Sequence, residues 1–527
     1  MHPLSLSLLT AALFLAGPAD AQFEIGGDPR VKPEDFTITT FAAGLNFPVG
    51  MAELDDGSIL TAVANGPTLF GSASGTILRL VDDDDDAMAD RWIRLEEDLA
   101  VGGPTALDRA GDLLFVTGQG QPILILRMGP APGYEITQVG RIDLNDASLL
   151  HPNSALVARQ VDGVFELFFP LGSAVNFART TQTRPLVSDF GLSADLACDA
   201  IHRLTFRFDG DTIRDAEVTQ IATGLRSASG LAFHPGTGDL YFEDNGIDGL
   251  QNAIEAHSAD EINMIPDDQL GGEIEDFGFP DHYIAYRTGE FVGGGAIPPL
   301  VAFLPLPDPA TGSEAEGPNE IAFAPPGFPP GLNNGLFVGF HGQFFRGGLA
   351  NEENPLVYVD LETREYFHFI SNEEPAVGHL DGLLSSGDRL YVADISNRGG
   401  LGNSDRNSGA IYVIRYTGPD LTAVGELSVS RPGGFSLDRA FPNPFNSSTT
   451  IRFTVPEGAR QAARLDVHDL TGQRVRRLFD EMVSGGAYAV AWDGRDGTGR
   501  PAASGTYVYR LVCGERFIAA GRVTLLK

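Results

Sequence analysis

One pattern occurs six times in the first 416 residues of this chain: a short apolar stretch, a turn containing Asp or Gly, and a second apolar stretch. Turn residues between two apolar runs are typical of antiparallel β-hairpins. The six hairpins begin at Gly50, Thr105, Ser154, Gly230, Ile321 and Gly382. Third strand-like segments follow, beginning at Gly75, Ile123, Ile201, Glu261, Leu356 and Gly409. Helical periodicity is nearly absent, so the repeats predict an all-β fold with a six-bladed β-propeller over residues 22–416.

The predicted ring needs a closing strand, because radially repeated sheets protect their edges only when the ring is complete. The segment F-T-I-T-T-F from Phe36 precedes the first hairpin and has the composition of a strand. We therefore predict that this segment completes the last blade.

After Tyr416 the repeat stops, and a second module follows. Residues 417–434 are predicted to form a linker, and residues 435–527 a small immunoglobulin-like β-sandwich. The strands are predicted at Ile451–Val455, Ala463–His468, Gln473–Leu478, Gly486–Trp492, Gly505–Val512 and Ala519–Leu526.

The first 21 residues have the pattern of a cleaved signal peptide. The run Leu4–Ala16 is largely apolar, and Ala19, Asp20 and Ala21 form a small-x-small cleavage site. No later stretch has the roughly 18 apolar residues that a membrane-spanning helix requires. The sequence therefore predicts a secreted or cell-surface protein without a transmembrane segment.

The charge balance limits the possible partners. The chain has 36 basic and 71 acidic residues, a formal net charge of −35. Binding to nucleic acid is not expected, because it requires a basic face. The two cysteines, Cys198 and Cys513, lie in different predicted domains, and we expect both to be free thiols.

Acidic residues are crowded behind the fourth hairpin, at Glu243, Asp244, Asp248, Asp260 and Glu261. Calcium takes six to eight oxygen ligands, which carboxylates and bare backbone carbonyls such as that of Gly246 can supply. This stretch is therefore a candidate calcium site. A solvated acidic loop is the alternative in so acidic a chain.

The motifs of this stretch occur in a distinctive order: R-S-A-S-G-L-A-F-H-P from Arg226, E-D-N-G from Glu243, D-E-I-N from Asp260, and G-F-P ending at Pro280. This order resembles the glucose/sorbosone dehydrogenase family. The resemblance implies a six-bladed propeller that uses pyrroloquinoline quinone (PQQ) with calcium.

The resemblance implies two catalytic residues. His151, in the segment L-L-H-P-N-S, matches a histidine that acts as general base. Imidazole suits that role because its ordinary pKa is about 6.5. Arg226 matches an arginine beside the cofactor and the sugar, where its planar fork can bind oxygen atoms. The alternative for both residues is an ordinary hydrogen-bonded loop position.

Further positions are implied by the same resemblance to bind cofactor or metal. The predicted cofactor-binding residues are Arg226, Gly246, Ile247, Asp260, His341 and Arg346. The carbonyls of Gly246 and Ile247 are expected to hold calcium, and Glu261 to bind a structural ion. Arg346 is the nearby candidate to replace a lysine that the glucose-type enzymes use.

The chain also departs from the family pattern. Ser227 and Ser229 stand where the glucose-type enzymes have amide side chains, and Leu380 stands where an arginine is expected. A cofactor with three carboxylates would meet fewer cations here, which lowers its expected affinity.

A second calcium loop is predicted between Val81 and Asp90. Its acids Asp82, Asp84, Asp86 and Asp90 have the first, third, fifth and ninth spacing of a compact loop. Asp85 and Ala87 occupy positions where related loops have glycine, which makes the turn costlier. A solvated acidic run is the alternative.

The C-terminal segment carries P-N-P-F-N, D-L-T-G-Q-R-V and W-D-G-R-D-G-T-G-R-P. These motifs resemble the FlgD-like immunoglobulin-type domain. Closely similar domains act as sorting signals for type IX secretion, so that machinery is an implied partner.

The combined motifs suggest an exported quinoprotein that oxidises a sugar or polyol by hydride transfer to PQQ and passes electrons to an external acceptor. One alternative is a non-catalytic, secreted calcium-binding propeller that binds carbohydrate or protein. A lactonase-type hydrolase on a six-bladed propeller is a third possibility, although the motif order favours the dehydrogenase family.

Overall fold

The computed structural model describes residues 25–26, 31–250, 255–306, 310, 317–341, 356–370, 380, 382–396, 400–418, 436–437, 449–468, 474–492, 494–497, 500, 502–513 and 517–525. The chain divides into two compact units, Met1–Thr422 and Ala423–Lys527. The predicted signal peptide, Arg346 and all of the predicted linker beyond residue 418 lie outside the described residues.

The first unit is built from antiparallel sheets, the blades. Strand β1 (Phe36–Leu45) precedes them. Blade 1 contains β2 (Met51–Glu53), β3 (Ile59–Ala64), β4 (Gly75–Val81) and β5 (Arg91–Leu99). Blade 2 contains β6 (Pro104–Ala110), β7 (Leu113–Gly118), β8 (Ile123–Met128) and β9 (Ile136–Asp143). Blade 3 contains β10 (Val157–Val161), β11 (Val164–Leu171), β14 (Ala200–Phe208) and β15 (Ile213–Thr223). Between β11 and β14 the chain forms a hairpin of β12 (Thr183–Ser188) and β13 (Ser193–Ala197).

The remaining blades follow the same plan. Blade 4 contains β16 (Ala228–Phe233), β17 (Leu240–Asp244), β18 (Asp260–Ile265) and β22 (Val301–Phe303). Between β18 and β22 lie β19 (Glu275–Asp276), which pairs parallel with β15 of blade 3, and a separate two-stranded sheet of β20 (Tyr283–Ile284) and β21 (Phe291–Val292). Blade 5 contains β23 (Pro318–Phe323), β24 (Leu336–Phe340), β25 (Leu356–Val359) and β26 (Tyr366–Ile370). Blade 6 contains β27 (Gly382–Ser386), β28 (Arg389–Asp394) and β29 (Gly409–Tyr416), and β1 is its outermost strand.

The six blades form a closed ring. The first strands of successive blades contact one another in the order β2, β6, β10, β16, β23 and β27, and β27 contacts β2 again. The closing strand is β1, which pairs antiparallel with β29 from Phe36 opposite Tyr416 to Leu45 opposite Gly409. The predicted six-bladed propeller and the predicted role of the Phe36 segment are both confirmed.

The β12–β13 hairpin joins two blades. It lies in sequence between the second and third strands of blade 3, yet β12 pairs with β9 at the outer edge of blade 2. Blade 2 therefore becomes a six-stranded sheet whose outermost strands belong to the chain segment of its neighbour. This strand exchange was not predicted from the sequence.

Apolar residues fill the spaces between the blades. Leu113, Phe115 and Ile125 of blade 2 pack with Leu167 and Phe206 of blade 3 in one such core. Strands β3, β4 and β7 are buried along their whole length, which fits their largely apolar sequences. The upper end of the propeller is defined here as the end where the first strand of each blade begins and the second strand ends.

The second unit is also all-β. Its strands are β30 (Ser436–Leu437), β31 (Thr449–His468), β32 (Arg474–Trp492), β33 (Gly505–Cys513) and β34 (Phe517–Leu525). A register shift between Val455 and Arg460 divides β31 into the two strands that the sequence predicts, and the fully buried Trp492 packs against Tyr507 in the core.

Helical structure within the described residues consists of two 3-10 turns, Pro33–Asp35 and Asp267–Gln269. In this part of the chain, no helix is long and apolar enough to cross a membrane. Cys198 is buried and unpaired, as predicted.

The closing strand gives a prediction about stability. Phe36 of β1 makes edge-to-face contacts with Phe328 and Phe369 of blade 5 at centroid distances of 5.4 and 5.5 Å. Phe36→Ala should lower the free energy of unfolding by about 3–5 kcal/mol, because it leaves a cavity between the blades. Urea denaturation measures this change. Phe70→Ala is the control, because the Phe70 side chain is 48% exposed and its loss should cost little. Equal losses in the two variants would contradict this role for Phe36.

Candidate functional site

Two loops at the upper end bring His151 and Arg226 together. His151 precedes β10 and Arg226 precedes β16, and the loop after β11 lies between them. The His151 amide donates to the Ser173 carbonyl at 3.0 Å, and the Ser173 amide donates to the Arg226 carbonyl at 2.8 Å. Gly172 is required here, because a Cβ atom at this position would lie 2.7 Å from the His151 Cβ and from the Arg226 carbonyl oxygen.

The His151 imidazole is held in its neutral form. Burial and the nearby charge of Arg226 lower the pKa of His151 to about 3. Its Nε2 atom is buried and has no hydrogen-bond partner among the described residues. The hydroxyl of Ser173, whose backbone binds that of His151, is likewise buried without a partner within that part of the chain. The imidazole is therefore neutral with an unengaged nitrogen, and its lowered pKa makes it a weaker proton acceptor than an ordinary histidine.

Arg226 is only 3% exposed and is bound by two loops. Its Nη2 donates to the Asn176 Oδ1 at 2.9 Å and also to the Asp248 carboxylate. Its Nη1 donates to the Asn245 carbonyl at 3.3 Å. Asn176 follows β11 and Asp248 follows β17, so the guanidinium lies where the upper loops of blades 3 and 4 meet.

A small cavity next to Arg226 contains two carboxylates. Asp244 at the end of β17 lies opposite Glu261 of β18 in register, and both line a cavity of about 20 Å³. That volume is sufficient for one water molecule or ion. Burial raises the pKa of Asp244 to about 7, and burial together with the Asp244 charge raises the pKa of Glu261 to about 8. A hard cation bound between them would stabilise their charged forms.

Asp260 lies on the other face of β18 and connects blades 4 and 5. Its Oδ1 accepts from the Gly246 amide at 2.6 Å, and its Oδ2 accepts from the Gly317 amide at 2.9 Å. The His341 amide in turn donates to the Gly317 carbonyl at 2.9 Å. These hydrogen bonds place Gly246, Asp260 and His341 in one network at the upper end.

The Ile247 backbone is held within the same loop. Its carbonyl accepts from the His257 amide at 2.7 Å and from the Ser258 amide at 3.2 Å. A Cβ atom on Gly246 would lie 2.4 Å from the Ser258 carbonyl oxygen, so only glycine allows this close approach. The predicted contact of these two carbonyls with calcium stays a prediction.

The predicted loop from Asp82 to Asp90 lies at the opposite end of the propeller. It connects the end of β4 to the start of β5, whereas the His151 loop lies at the end where β10 begins. Carboxylate oxygens of Asp82, Asp84 and Asp86 lie within 4.8 Å of one another, and Asp90 accepts from the Asp83 amide at 2.8 Å. The charge of Asp86 raises the pKa of Asp84.

Two residues of this lower loop take the strained backbone conformation that the sequence predicts. Asp85 has a φ of 64° and Ala87 a φ of 67°, the left-handed region that favours glycine. Arg389 of blade 6 pairs with Asp82 at 3.4 Å and with Asp85, so the loop is bound to a neighbouring blade.

The sequence places Asp248 in the acidic candidate calcium stretch but predicts no contact with Arg226, and it predicts no role for Asn176 or His282. Asn176 is the polar residue between Val175 and Phe177, and Asp248 directly follows Ile247. His282 lines the small cavity, and its Nδ1 is buried without a hydrogen-bond partner among the described residues. The resemblance implies no contact of any of these three residues with Arg226 or the cavity.

Comparison with known proteins gives one family for the C-terminal unit, where residues 444–513 match the FlgD Ig-like domain. This unit therefore contains a FlgD Ig-like domain. An uncharacterized protein of Borreliella burgdorferi is 27% identical over 194 residues, which cover 34% of this chain and 47% of that protein. The chain thus matches about half the length of this relative.

Two solved structures are similar to this chain in fold. The holo form of the pyranose dehydrogenase PQQ domain from Coprinopsis cinerea has 15% identity and a TM-score of 0.49, covering 76% of this chain and 98% of that chain. The calcium structure of the carbohydrate-active enzyme family AA12 from Trichoderma reesei has 15% identity and a TM-score of 0.47, covering 76% of this chain and 99% of that chain.

His151 gives a prediction about acid stability. The pKa of histidine is 6.5 in the unfolded chain and about 3 for His151 in the folded chain. Between these values the unfolded chain binds a proton that the folded chain does not, so stability present above pH 6.5 is lost as the pH falls towards 3. His151→Gln should make this loss smaller. Urea unfolding across that pH range measures it, and an unchanged pH dependence would show that the imidazole is not held neutral.

Proposed function

We propose that the propeller is an oxidoreductase that acts on a hydroxyl group of a sugar or polyol at its upper end, with calcium and PQQ as cofactors. The observation that carries this proposal is the neutral His151, whose buried Nε2 is unengaged among the described residues and whose pKa is lowered by burial and by the nearby charge of Arg226. A hydroxyl that donates to Nε2 can lose its proton there as the adjacent C–H bond is broken.

The donor set of the upper end supports a calcium ion. Asp244 and Glu261 offer carboxylate oxygens to a cavity that has room for one ion. Their raised pKa values reflect two acids buried without a neutralising charge between them. Bound calcium would remove that penalty and bring positive charge to the mouth of the propeller.

Arg226 supports a carboxylate-bearing cofactor. Its Nη2 binds the Asp248 carboxylate, so with Asp248 displaced the guanidinium would hold a carboxylate of PQQ in the same way. When bound, PQQ supplies the hydride acceptor. The chain contributes the proton acceptor at His151 Nε2, the oxygen-binding fork of Arg226, and Asn176, which orients that fork through two hydrogen bonds to its Oδ1 at 2.9 and 3.2 Å. An external electron acceptor is the further partner of this cycle.

One observation favours a second function, a secreted calcium-binding propeller that binds carbohydrate without redox chemistry. Arg226 is already neutralised by Asp248, and buried acids surround it at Asp244 and Asp260. A strongly acidic pocket disfavours a tricarboxylate cofactor. The two functions agree on calcium and differ in their requirement for His151.

We also infer that the protein is exported to the cell surface or the medium. Two features support this inference: the signal-peptide pattern of residues 1–21 and the FlgD Ig-like domain. The resemblance noted in the sequence implies that closely similar domains act as sorting signals for type IX secretion. Deleting residues 435–527 should change the location of the protein in its native host, as measured by cell fractionation. An unchanged location would overturn the sorting role.

The base gives a prediction about turnover. With PQQ and calcium added, His151→Gln should lower kcat by roughly a hundred- to ten-thousandfold, because proton transfer in the transition state is lost. Dye reduction with a panel of aldoses and polyols measures kcat. His202→Gln is the matched control, since His202 is also buried with a pKa lowered to about 4 but lies within β14. Full turnover in the His151 variant would exclude it as the base, and a wild-type protein that binds calcium but oxidises nothing would favour the second function.

Calcium gives a separate prediction. Removing it should lower the melting temperature, since a ligand that binds only the folded state stabilises that state by roughly 2.7 kcal/mol at a hundredfold excess over its Kd. Glu261→Gln and Asp84→Asn distinguish the two candidate sites, because each removes a carboxylate at one end of the propeller. If chelation leaves the melting temperature of the wild-type protein unchanged, neither acidic cluster holds calcium.

A further inference from the structure

The ion pair between Arg226 and Asp248 has unequal partners. The Arg226 side chain is 3% exposed, whereas the Asp248 side chain is 58% exposed. The carboxylate therefore lies on the solvent side of the guanidinium. An anion that approaches Arg226 from solvent meets Asp248 at that position.

Asn176 holds the backbone of Asp248 beside Arg226. Its Oδ1 accepts from the Asp248 amide at 3.0 Å, and its Nδ2 donates to the Asp248 carbonyl at 3.1 Å. The same Oδ1 accepts from Arg226. One amide side chain thus binds both partners of the ion pair, which distinguishes this pair from the weak pairs that two mobile surface side chains form.

The other carboxylates near Arg226 are occupied by backbone amides. Asp244 accepts from the Arg226 amide at 3.0 Å and the Ser227 amide at 2.7 Å. Asp260 accepts from the Gly246 and Gly317 amides. Among the described residues, Asp248 is therefore the carboxylate that contacts the guanidinium itself.

We propose that Asp248 is a built-in competitor that occupies the carboxylate-binding position of Arg226 and makes the upper end select neutral hydroxyl compounds over anions. A ligand with a carboxylate must displace Asp248 to reach Arg226. A sugar or polyol needs no such displacement. This proposal concerns binding alone and holds whether or not the site performs redox chemistry.

Binding of trimesate, a benzene ring with carboxylate substituents and no oxidisable hydroxyl, tests the proposal. Isothermal titration calorimetry at low ionic strength is performed on the full chain and its variants. Asp248→Asn should tighten the binding about tenfold or more, because a charge-assisted bond to Arg226 becomes available to the ligand. Asp248→Glu keeps the carboxylate and should bind as weakly as the wild-type protein.

Asp268→Asn is the matched control, because it removes the same charge from an exposed position in the turn Asp267–Gln269. If Asp248→Asn tightens trimesate binding no more than Asp268→Asn does, general charge explains the change and the proposal is wrong. If Asp248→Glu gains affinity as Asp248→Asn does, competition by the carboxylate is likewise excluded. Circular dichroism melting checks that each variant is folded. Neither result depends on PQQ, so a failure of the proposed oxidoreductase function is seen separately, in the dye assay.

Discussion

The pairing of β1 with β29 is the interaction on which the propeller depends. It joins residues about 370 positions apart in sequence, from the Phe36–Tyr416 pair to the Leu45–Gly409 pair, so the entropy of a very long loop opposes it. The ring is also closed at its inner side, where β27 of blade 6 contacts β2 of blade 1. The loops at the upper end that carry His151, Arg226 and Asp248 extend from different blades. Their relative positions therefore depend on the closed ring.

The inner three strands of every blade could be predicted, and several outer strands could not. β3 and β7 are fully buried and have apolar sequences, which identify them as strands. β5 has the sequence R-W-I-R-L-E-E-D-L, and most of its residues are exposed or half-buried. Its strand conformation depends on pairing with β4 rather than on its own pattern. The same reason explains why the β12–β13 hairpin was missed.

Part of the candidate site could likewise be predicted from the sequence, and part could not. His151 and Arg226 lie in segments whose motifs resemble a known family, and the structure places them side by side. Asn176 and Asp248 contact each other across 72 residues of sequence, and no local pattern predicts this contact. Such contacts arise only when two loops from neighbouring blades meet, so a single sequence read along its length does not reveal them. The positive charge of Arg226 could be predicted from the sequence, but its neutralisation by Asp248 could not.

The β12–β13 hairpin has a consequence for how this fold can change over time. In a ring of independent blades, a gene duplication or deletion of one blade leaves complete sheets on both sides. Here the outer edge of blade 2 is supplied by the segment that encodes blade 3. Losing the blade 2 segment alone would leave the β12–β13 hairpin without its partner β9, so blade 3 is expected to be inherited together with blade 2.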